Sequence, residues 1–595
     1  MQKPVLTLTL TLFISFLIGQ ASYSPKVLAQ IKQVENHLAG EVKITGEKEY
    51  NIIDRMAHYK VKGLSIAVIE DYKIAWAKGY GWADEKERRP VTANTMFEPG
   101  SISKSLNAMG LLKLVQEHKL DLNTDNNIYL KSWTFPYDSI SKGKKITLAN
   151  LLSHTAGLTV HGFPGYSRTE KIPSVPEILD GKKPANTPAV RSAFEPGLRF
   201  QYSGGGTTIS QLILTDYTQR PYDQFMAEQV FKPLDMTNSS YTQPPLDNKL
   251  KQVATGYRAD GSMVETKFHV YPEQGAAGLW TTPTDIGKYI IETQLAYEGK
   301  SAKLLNQDMT KLRLSPYLDA SSALGVFIEE RGGIKYFQHG AANEGFRGIY
   351  FGSLEGGYGL AIFVNSDNGN IMGELINSVA EVYNWKDFYK PILQKRVPVT
   401  DAVLQQYPGI YIQDNNFAIV LKKKDGLYLA SNGNSMKMHF SSDIDFFNLE
   451  SLVLKQFTKD ADGNIIGYTR TRKGESLPQM VKVKDVKAVT GSSELFNSIG
   501  WNLIEHKEYN EAISYLNRGL ELYPANLIME GNLAHGLLFL NRYDEAIKIY
   551  RQHLTKTIDG GFTWENMIKQ DFDFFKMKKF DSRLMDRVKA DLKLK

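Results

Sequence analysis

Residues Phe97–Leu112 read Phe-Glu-Pro-Gly-Ser-Ile-Ser-Lys-Ser-Leu-Asn-Ala-Met-Gly-Leu-Leu, a Pro-Gly turn followed by Ser-x-x-Lys and an apolar run. Apolar residues recur in this run at helical spacing, which predicts a buried helix that begins at the turn. Residues three apart are neighbours on a helix, so Ser101 would lie beside Lys104. A nearby amine can take the proton of a serine hydroxyl, and the free N–H groups at a helix N-terminus can hold an oxyanion. The stretch therefore predicts that Ser101 is a nucleophile.

The same Ser-x-x-Lys spacing occurs a second time, at Ser139–Lys142, so spacing alone does not identify the nucleophile. The second copy is followed by Gly143-Lys144-Lys145 and has no apolar helical run directly behind it. This composition predicts an exposed loop. We therefore assign the nucleophile to Ser101 from its context.

Length and composition exclude several classes of protein. The chain has 595 residues, enough for three or four domains, and its 42% hydrophobic and 23% charged residues are typical of globular proteins. The 71 basic and 65 acidic residues give a net charge of +6, which is too balanced to indicate nucleic-acid binding. The absence of cysteine excludes disulfides, thiolate metal sites and a cysteine nucleophile. No set of histidines and carboxylates has metal-ligand spacing, so we expect no metal and no cofactor.

The N-terminus is typical of a secretory signal peptide. Lys3 precedes the apolar stretch Val5–Ile18, and cleavage could follow Gly19-Gln20-Ala21 or Val27-Leu28-Ala29. We expect a signal peptide within residues 1–29 and a periplasmic or secreted protein; an uncleaved anchor is the alternative. The apolar stretch is short for a membrane span, and no later segment is apolar enough, so we expect no stable span after cleavage.

The rest of the chain divides into three predicted domains. Residues 31–395 mix helical and strand patterns, and residues 398–486 contain short strands separated by turns, which predicts a small antiparallel β domain. Residues 491–595 are predicted to be helical. Here Tyr-x-Glu-Ala-Ile at Tyr509 recurs at Tyr543, 34 residues later, which is the period of tetratricopeptide repeats. A chance pair of amphipathic helices is the alternative.

Two strand-like runs, 334–338 and 346–351, lie late in the first of these domains. Between these two runs lies the stretch His339-Gly340-Ala341-Ala342-Asn343-Glu344-Gly345.

Three short motifs resemble those of serine β-lactamases and penicillin-binding proteins. They are Ser101–Lys104, Tyr202–Gly204 and His339–Ala341, in the order and rough spacing of that family. The resemblance covers about residues 45–390 and is strongest to the class C-like branch, which also holds esterases, D-amino-acid peptidases and DD-carboxypeptidases. It implies an α/β (α+β) catalytic domain with a central antiparallel sheet, ahead of the small antiparallel β domain and the C-terminal α-helical repeat.

The resemblance also implies a role for each matching residue. Ser101 would be the acylated nucleophile, Lys104 would help to deprotonate it, and Tyr202 would be the general base or proton relay. A phenol ordinarily ionises far above neutral pH, so that role requires positive charge nearby. The residues that would border the substrate are His339, Gly340, Ala342 and Gly204. The backbone N–H groups of Ser101 and Ala342 would form the oxyanion hole.

The chain departs from the family pattern in the second and third motifs. Gly204 stands where β-lactamases usually have an asparagine whose amide contacts the substrate. His339 stands where many relatives have lysine or histidine and where the β-lactamase motif usually begins with lysine, and Ala341 replaces the usual glycine. A permanent cation for a substrate carboxylate is therefore missing, because histidine is largely neutral at pH 7. These changes weaken the expectation of efficient β-lactamase activity, and esterase or peptidase activity stays an open alternative.

We predict a secreted serine hydrolase that acts through an acyl-enzyme on an ester, an amide or a D-amino-acid peptide, with cell-wall-related or β-lactam substrates included. The alternative is a catalytically weak, penicillin-binding-like receptor or scaffold whose helical repeats hold a protein partner. Individual residues have alternatives as well: Tyr202 could be a packed loop aromatic and His339 a structural histidine. His154 is predicted to be structural rather than catalytic, and His161 has no supporting context.

Overall fold

The computed structural model describes residues 23–431, 434–559 and 562–594. The predicted signal stretch Val5–Ile18 and the first predicted cleavage site lie outside these residues. The chain divides into two compact units: one comprises the residues up to Leu38 together with Tyr50–Phe388, and the other comprises Ala39–Glu49 and the chain from Tyr389 onward. In the part of the chain that the structure describes, no helix is both long enough and apolar enough to span a bilayer.

Helices and strands occur in both units. The helices are α1 (Pro25–Asn36), α2 (Ile52–Tyr59), α3 (Ser103–Gln116), α4 (Leu148–Leu152), α5 (Val175–Asp180), α6 (Gly204–Thr218), α7 (Tyr222–Met226), α8 (Gln274–Ala277), α9 (Pro283–Tyr297), α10 (Gln307–Arg313), α11 (Asn370–Val382), α12 (Asp401–Leu404), α13 (Ser493–Glu505), α14 (Tyr509–Leu522), α15 (Leu527–Phe539), α16 (Tyr543–Gln552), α17 (Trp564–Met577) and α18 (Ser582–Leu592). The strands are β1 (Val42–Ile44), β2 (Gly63–Glu70), β3 (Lys73–Asp84), β4 (Arg89–Pro90), β5 (Tyr166–Ser167), β6 (His269–Val270), β7 (Phe327–Arg331), β8 (Ile334–Asn343), β9 (Phe346–Ser353), β10 (Gly359–Val364), β11 (Ile392–Gln394), β12 (Gly409–Gln413), β13 (Asn416–Lys423), β14 (Gly426–Ser431), β15 (Asn434–Lys437), β16 (His439–Phe440), β17 (Asp445–Phe447), β18 (Val453–Lys459), β19 (Ile465–Arg472), β20 (Glu475–Lys482), β21 (Thr557–Asp559) and β22 (Phe562–Thr563).

The first unit is built on a seven-stranded sheet with the strand order β4-β3-β2-β10-β9-β8-β7. Neighbouring strands in the body of this sheet pair antiparallel. One hydrophobic cluster joins sheet residues such as Phe337 and Phe363 to helix residues such as Leu106 and Ile286. The mixed helix and strand content and the central antiparallel sheet confirm the predicted fold class.

Helix α3 is the central helix of this unit, and every residue from Ser103 to Leu112 is buried. The Tyr241 hydroxyl donates to the Ser103 carbonyl at 2.5 Å, and Ser105 Oγ donates to the Gly325 carbonyl at 2.9 Å. The predicted buried helix is therefore confirmed. Its α-helical part begins only at Ser103, because the residues before it, Gly100–Ile102, form a 3₁₀ turn.

Strand β8 is longer than predicted. It continues through the His339 motif to Asn343, whereas the strand-like run predicted from the sequence ends at residue 338. The reason is the pairing with β9, which places His339 opposite Tyr350 and Ala342 opposite Arg347. On its other side β7 pairs with β8 only as far as Gln338. The end of β8 is therefore available to border a site.

The second unit contains a nine-stranded sheet in the order β15-β14-β13-β12-β20-β19-β18-β17-β16. Its edge strands, β15 and β16, are separated in the sequence by Met438 alone. Adjacent strands lie about 4.8 Å apart, so an open nine-stranded sheet would separate its edges by roughly 38 Å, far beyond the reach of one residue. The sheet therefore curls until its two edge strands meet at Met438, and we call this curled sheet the barrel; its core includes Tyr407, Phe446 and Phe457.

Helices α13 to α18 follow the barrel. The starts of α13 and α15 are 34 residues apart, as are those of α14 and α16, so helix pairs repeat at the period found in the sequence. Trp564 and Phe572 of α17 lie in one hydrophobic core with residues of the helices α13 to α16. That core also contains Leu495 of α13 together with Phe417 and Ile419 of the barrel, so barrel and helices share one cluster. The helical C-terminal region is as predicted, whereas its assignment to the tetratricopeptide repeats stays a prediction.

Candidate active site

Ser101 and Lys104 are in direct contact at the start of α3. Lys104 Nζ lies 3.1 Å from Ser101 Oγ and donates a second hydrogen bond, of 2.7 Å, to the Ala276 carbonyl. Lys104 is only 4% exposed, whereas Ser101 is partly accessible. The 3₁₀ turn and the first turn of α3 thus bring a reachable hydroxyl to a buried amine, as the i, i+3 spacing predicts.

The glycine before the nucleophile allows β8 to approach it closely. Gly100 has a φ of +56°, in the left-handed region. A Cβ at this position would lie 2.8 Å from the Ala342 carbonyl oxygen and 2.7 Å from Asn343 Oδ1, so a side chain would collide. Asn343 in turn donates to the Ala277 carbonyl at 2.9 Å. As a result Ser101 and Ala342, whose N–H groups are the predicted oxyanion hole, border one cavity.

The Tyr202 ring is surrounded by a cation and by other rings. Lys104 Nζ lies 5.0 Å from its centroid. The ring centroids of His154 and His161 lie 4.3 Å and 4.9 Å away, and the stacked ring of Phe327 lies at 6.4 Å. These contacts restrict how the Tyr202 ring can turn, and the residue borders the cavity. Positive charge therefore lies near the phenol, as its predicted role requires.

The buried histidines near Tyr202 are neutral at pH 7. His339 is 3% exposed, and its Nδ1 bonds to the Gly340 carbonyl at 2.6 Å. Burial, and after it the positive charge of Lys104, lower the pKa of His339 to about 3. Burial also lowers the pKa of His154 well below its usual value. His154 Nδ1 accepts a 3.2 Å hydrogen bond from the Ser203 N–H, which is a structural contact.

Gly204 does not lie among the residues that line the cavity. It begins α6, and its N–H donates to the His161 carbonyl at 2.9 Å. A Cβ there would lie 3.0 Å from that carbonyl and 3.0 Å from the Phe163 ring. The loop that carries His161 and Phe163 therefore occupies the space into which a side chain at position 204 would extend, and both loop residues line the cavity.

The cavity has a volume of about 730 Å³. The predicted site residues that line it are Ser101, Lys104, Tyr202, His339, Gly340 and Ala342. Among its described lining residues Lys104 is the only lysine or arginine, and none is a carboxylate. Within residues 23–431, 434–559 and 562–594, no group of three or more His, Asp or Glu side chains is arranged to hold a metal ion. The catalytic and substrate-binding roles of the lining residues stay predictions.

The second Ser-x-x-Lys copy has a different structure. Ser139 is exposed at the start of a 3₁₀ turn, and Lys142 has a φ of +48°. Lys142 Nζ lies 3.2 Å from a Glu195 carboxylate oxygen. This copy is therefore an exposed turn whose lysine pairs with an acid, which agrees with its predicted surface position.

Several lining residues were not identified from the sequence, among them His161, Phe327 and Ala276. His161 belongs to a long Pro- and Gly-rich loop, and the length of that loop is the sequence feature that could have indicated a functional residue here. Ala276 lies in a small-residue turn before α9, but nothing local indicates that its carbonyl accepts from Lys104. Phe327 starts β7, whose place depends on pairing with β8.

Comparison with known proteins agrees with this geometry. The model of the family described as Beta-lactamase matches residues 50–381. Protein flp of Staphylococcus aureus (strain MRSA252) is 27% identical over 258 residues, which cover 42% of this chain and 49% of that protein. The putative penicillin-binding protein PbpX of Bacillus subtilis (strain 168) is 26% identical over 320 residues, which cover 53% of this chain and 74% of PbpX. The match spans about half the length of protein flp.

A solved structure with a similar fold is that of the octameric penicillin-binding protein homologue from Pyrococcus abyssi. It aligns with a TM-score of 0.51 and 20% sequence identity, and the alignment covers 73% of this chain and 97% of that one. At this level of identity the likeness concerns the fold.

Proposed function

This chain belongs to the beta-lactamase family, and we propose that it is a serine hydrolase that forms an acyl-enzyme at Ser101. The observation that carries the proposal is the 3.1 Å contact between Ser101 Oγ and Lys104 Nζ at the wall of an accessible cavity. An activated hydroxyl, a buried amine and a phenol on one cavity are what nucleophilic acyl transfer requires.

The proposed reaction uses these groups in two steps. Ser101 Oγ attacks the carbonyl carbon of the substrate, and its proton passes to Lys104 in its free-amine form or, when Lys104 is an ammonium, to Tyr202 in its phenolate form. The N–H groups of Ser101 and Ala342 stabilise the oxyanion of the tetrahedral intermediate. When that intermediate collapses, the alcohol or amine leaves with the transferred proton and the acyl group stays on Oγ. Water then attacks the acyl-enzyme, releases the acid and returns the proton to Ser101.

The walls of the cavity favour substrates without a carboxylate near the scissile bond. The third motif offers His339, which is buried and neutral, and Lys104 is already bonded to Ser101 and Ala276. Aromatic rings such as Phe163 and Phe327 line the cavity. We therefore place neutral esters and amides, including those of D-amino acids, ahead of β-lactams and of peptides with a free terminal carboxylate.

A fluorophosphonate probe tests the reaction class directly, because it phosphonylates activated serines. We expect labelling of the native chain and of Ser139→Ala, and none of Ser101→Ala. Absence of labelling in the native, folded chain would favour the alternative, a receptor or scaffold without turnover.

A matched pair of p-nitrophenyl esters tests the substrate class. The pentanoate is neutral, and the hydrogen succinate has a similar length but ends in a carboxylate. In this cavity the carboxylate of the succinate would have no charged partner and would lack a charge-assisted hydrogen bond. We therefore expect kcat/KM to favour the pentanoate by about tenfold or more. Equal rates, or a preference for the succinate, would contradict the proposed substrate class.

Export is the remaining part of the proposal. The Tyr23 hydroxyl donates to the Ala77 carbonyl at 3.1 Å, and Ser24 caps α1. Cleavage after Ala21 preserves both features, whereas cleavage after Ala29 would remove the start of α1. We therefore expect the exported protein to begin at Ser22, as read by mass spectrometry; a mature chain without Tyr23 would contradict this.

A further inference from the structure

A second cavity, of about 520 Å³, lies in the other unit, where the barrel meets α13. Its apolar lining includes Phe417, Leu429, Met436, Val453 and Met480. Its polar lining includes Ser451, Ser492 and Ser498 together with the charged side chains of Lys455, Arg470 and Glu494. The mouths of barrels are common places for small-molecule sites, and such sites combine apolar walls with a few polar groups.

Two cations lie side by side in this cavity. Lys455 of β18 and Arg470 of β19 are directly opposite each other in the strand register. Like charges in this arrangement repel. Lys455 is 8% exposed, on the same strand face as the buried Phe457. Burial, and after it the charge of Arg470, lower the pKa of Lys455 to about 8.

The partners of these cations in the fold are neutral. Lys455 Nζ donates to Asn448 Oδ1 at 3.0 Å and to the Val453 carbonyl at 2.8 Å. Arg470 donates to the Pro478 carbonyl at 3.0 Å and 2.7 Å. Among the described residues Lys455 and Arg470 form no salt bridge, although the negative charge of Glu450 acts on Lys455 and opposes the lowering of its pKa. Burying a charge is costly unless it is paired, so an anion bound beside Lys455 would stabilise the arrangement.

The start of α13 adds to the positive potential of the cavity. This 13-residue helix begins at Ser493, and its cap Ser492 and first-turn residue Leu495 line the cavity. A helix N-terminus carries a partial positive charge that favours an anion. Glu494 is exposed to solvent at this end. The cavity therefore combines the buried Lys455, the half-exposed Arg470 and a helix start with apolar walls.

We propose that this cavity binds a carboxylate that carries an apolar chain, of the fatty-acid type. The carboxylate lies between Lys455, Arg470 and the start of α13, and the chain packs against the apolar residues toward the barrel interior. A neutral lipid would leave the cations unpaired, and a small anion such as acetate would leave the apolar walls uncovered.

Isothermal titration of the full-length protein with decanoate, below its micelle concentration, tests the site. Decanol and acetate serve as the ligand controls, since each offers only half of the chemistry. We expect decanoate to bind at least about tenfold more tightly than either. Lys455→Met should weaken decanoate binding at least about tenfold, because it removes the charge and keeps most of the volume, whereas Lys459→Met, at an exposed position of the same strand, should leave binding unchanged.

Two further measurements keep the test decisive if Lys455→Met fails to fold. Arg470→Gln should weaken decanoate binding in the same direction. In the native chain, affinity should fall by roughly tenfold from pH 7 to pH 9 as Lys455, beside the charged groups Arg470, Glu450 and Glu494, loses its proton. Decanoate binding that is equal in the native chain and in a folded Lys455→Met, or that does not change with pH, would overturn the proposal.

Discussion

Lys104 connects the nucleophile to the opposite wall of the candidate site. Its two hydrogen bonds, to Ser101 Oγ and to the Ala276 carbonyl, fix the position of the amine between them. The Tyr202 ring lies 5.0 Å from the same nitrogen. One buried amine can therefore influence both groups that carry the proton in the proposed reaction.

Tyr202→Phe tests the phenol. The variant removes one hydroxyl and keeps the ring that contacts His154 and Phe327, so the fold should be preserved. We expect acylation by a p-nitrophenyl ester to slow by roughly 10²–10⁴-fold, the usual contribution of general acid–base assistance. Stopped-flow acylation and thermal unfolding measure the two effects. A folded variant that acylates within a few-fold of the native rate would remove Tyr202 from the mechanism.

Protonation of His339 makes the free energy of unfolding depend on pH. Its pKa is about 3 in the folded chain, below the ordinary value of 6.5, so the unfolded chain binds more protons between those pH values. Stability therefore falls as the pH is lowered through this window, by roughly 2 kcal/mol from this residue between pH 6.5 and pH 5. We expect the Tm of His339→Gln to decrease less over that range than the Tm of the native chain.

The matched control is His118→Gln, because His118 is exposed. Its Tm should follow that of the native chain at each pH. If the Tm of His339→Gln and the Tm of the native chain fell by the same amount between pH 6.5 and pH 5, protonation of His339 would not contribute to the pH dependence of stability.

At the scale of elements, the sequence identified those parts of the site that depend on local pattern. The turn and helix around Ser101 follow from Pro-Gly, Ser-x-x-Lys and an apolar period, all within a few residues. The extension of β8 through His339 depends on pairing with β9, and the approach of His161 to Tyr202 depends on a loop held against α6. These are long-range contacts, and the spacing of residues along the chain does not encode them.

Gly100→Ala tests whether the contact between the nucleophile turn and β8 matters. The new Cβ would collide with the Ala342 carbonyl in a left-handed turn, which should displace the predicted oxyanion hole. We expect kcat to fall by about 10²-fold or more, as when an oxyanion donor is lost. Gly143→Ala is the control, since Gly143 also has a positive φ but open space around it. Similar activities of the two variants would contradict the predicted hole.

At the scale of the whole molecule, the candidate active site and the proposed carboxylate cavity belong to different units. The residues assigned to catalysis all lie between Ser101 and Ala342. We therefore expect a chain that ends at residue 395 to hydrolyse p-nitrophenyl pentanoate within a few-fold of the full-length rate.

Its Tm should be lower than that of the full-length protein, because the segment Ala39–Glu49 belongs to the second unit, where the Val42 N–H donates to the Leu449 carbonyl at 3.1 Å. Turnover and thermal unfolding of the shortened chain distinguish the outcomes. Cooperative unfolding combined with lost turnover would mean that the later residues shape the active site.

The most direct test of the central claim is the mass of the enzyme during turnover. The native protein, quenched in acid within the first turnover of p-nitrophenyl pentanoate, should carry one added pentanoyl group, and peptide mapping should locate it on Ser101. Ser139→Ala should give the same adduct, and Ser101→Ala should give none. An adduct on any other residue, or ester turnover that persists at the native rate in Ser101→Ala, would contradict the account.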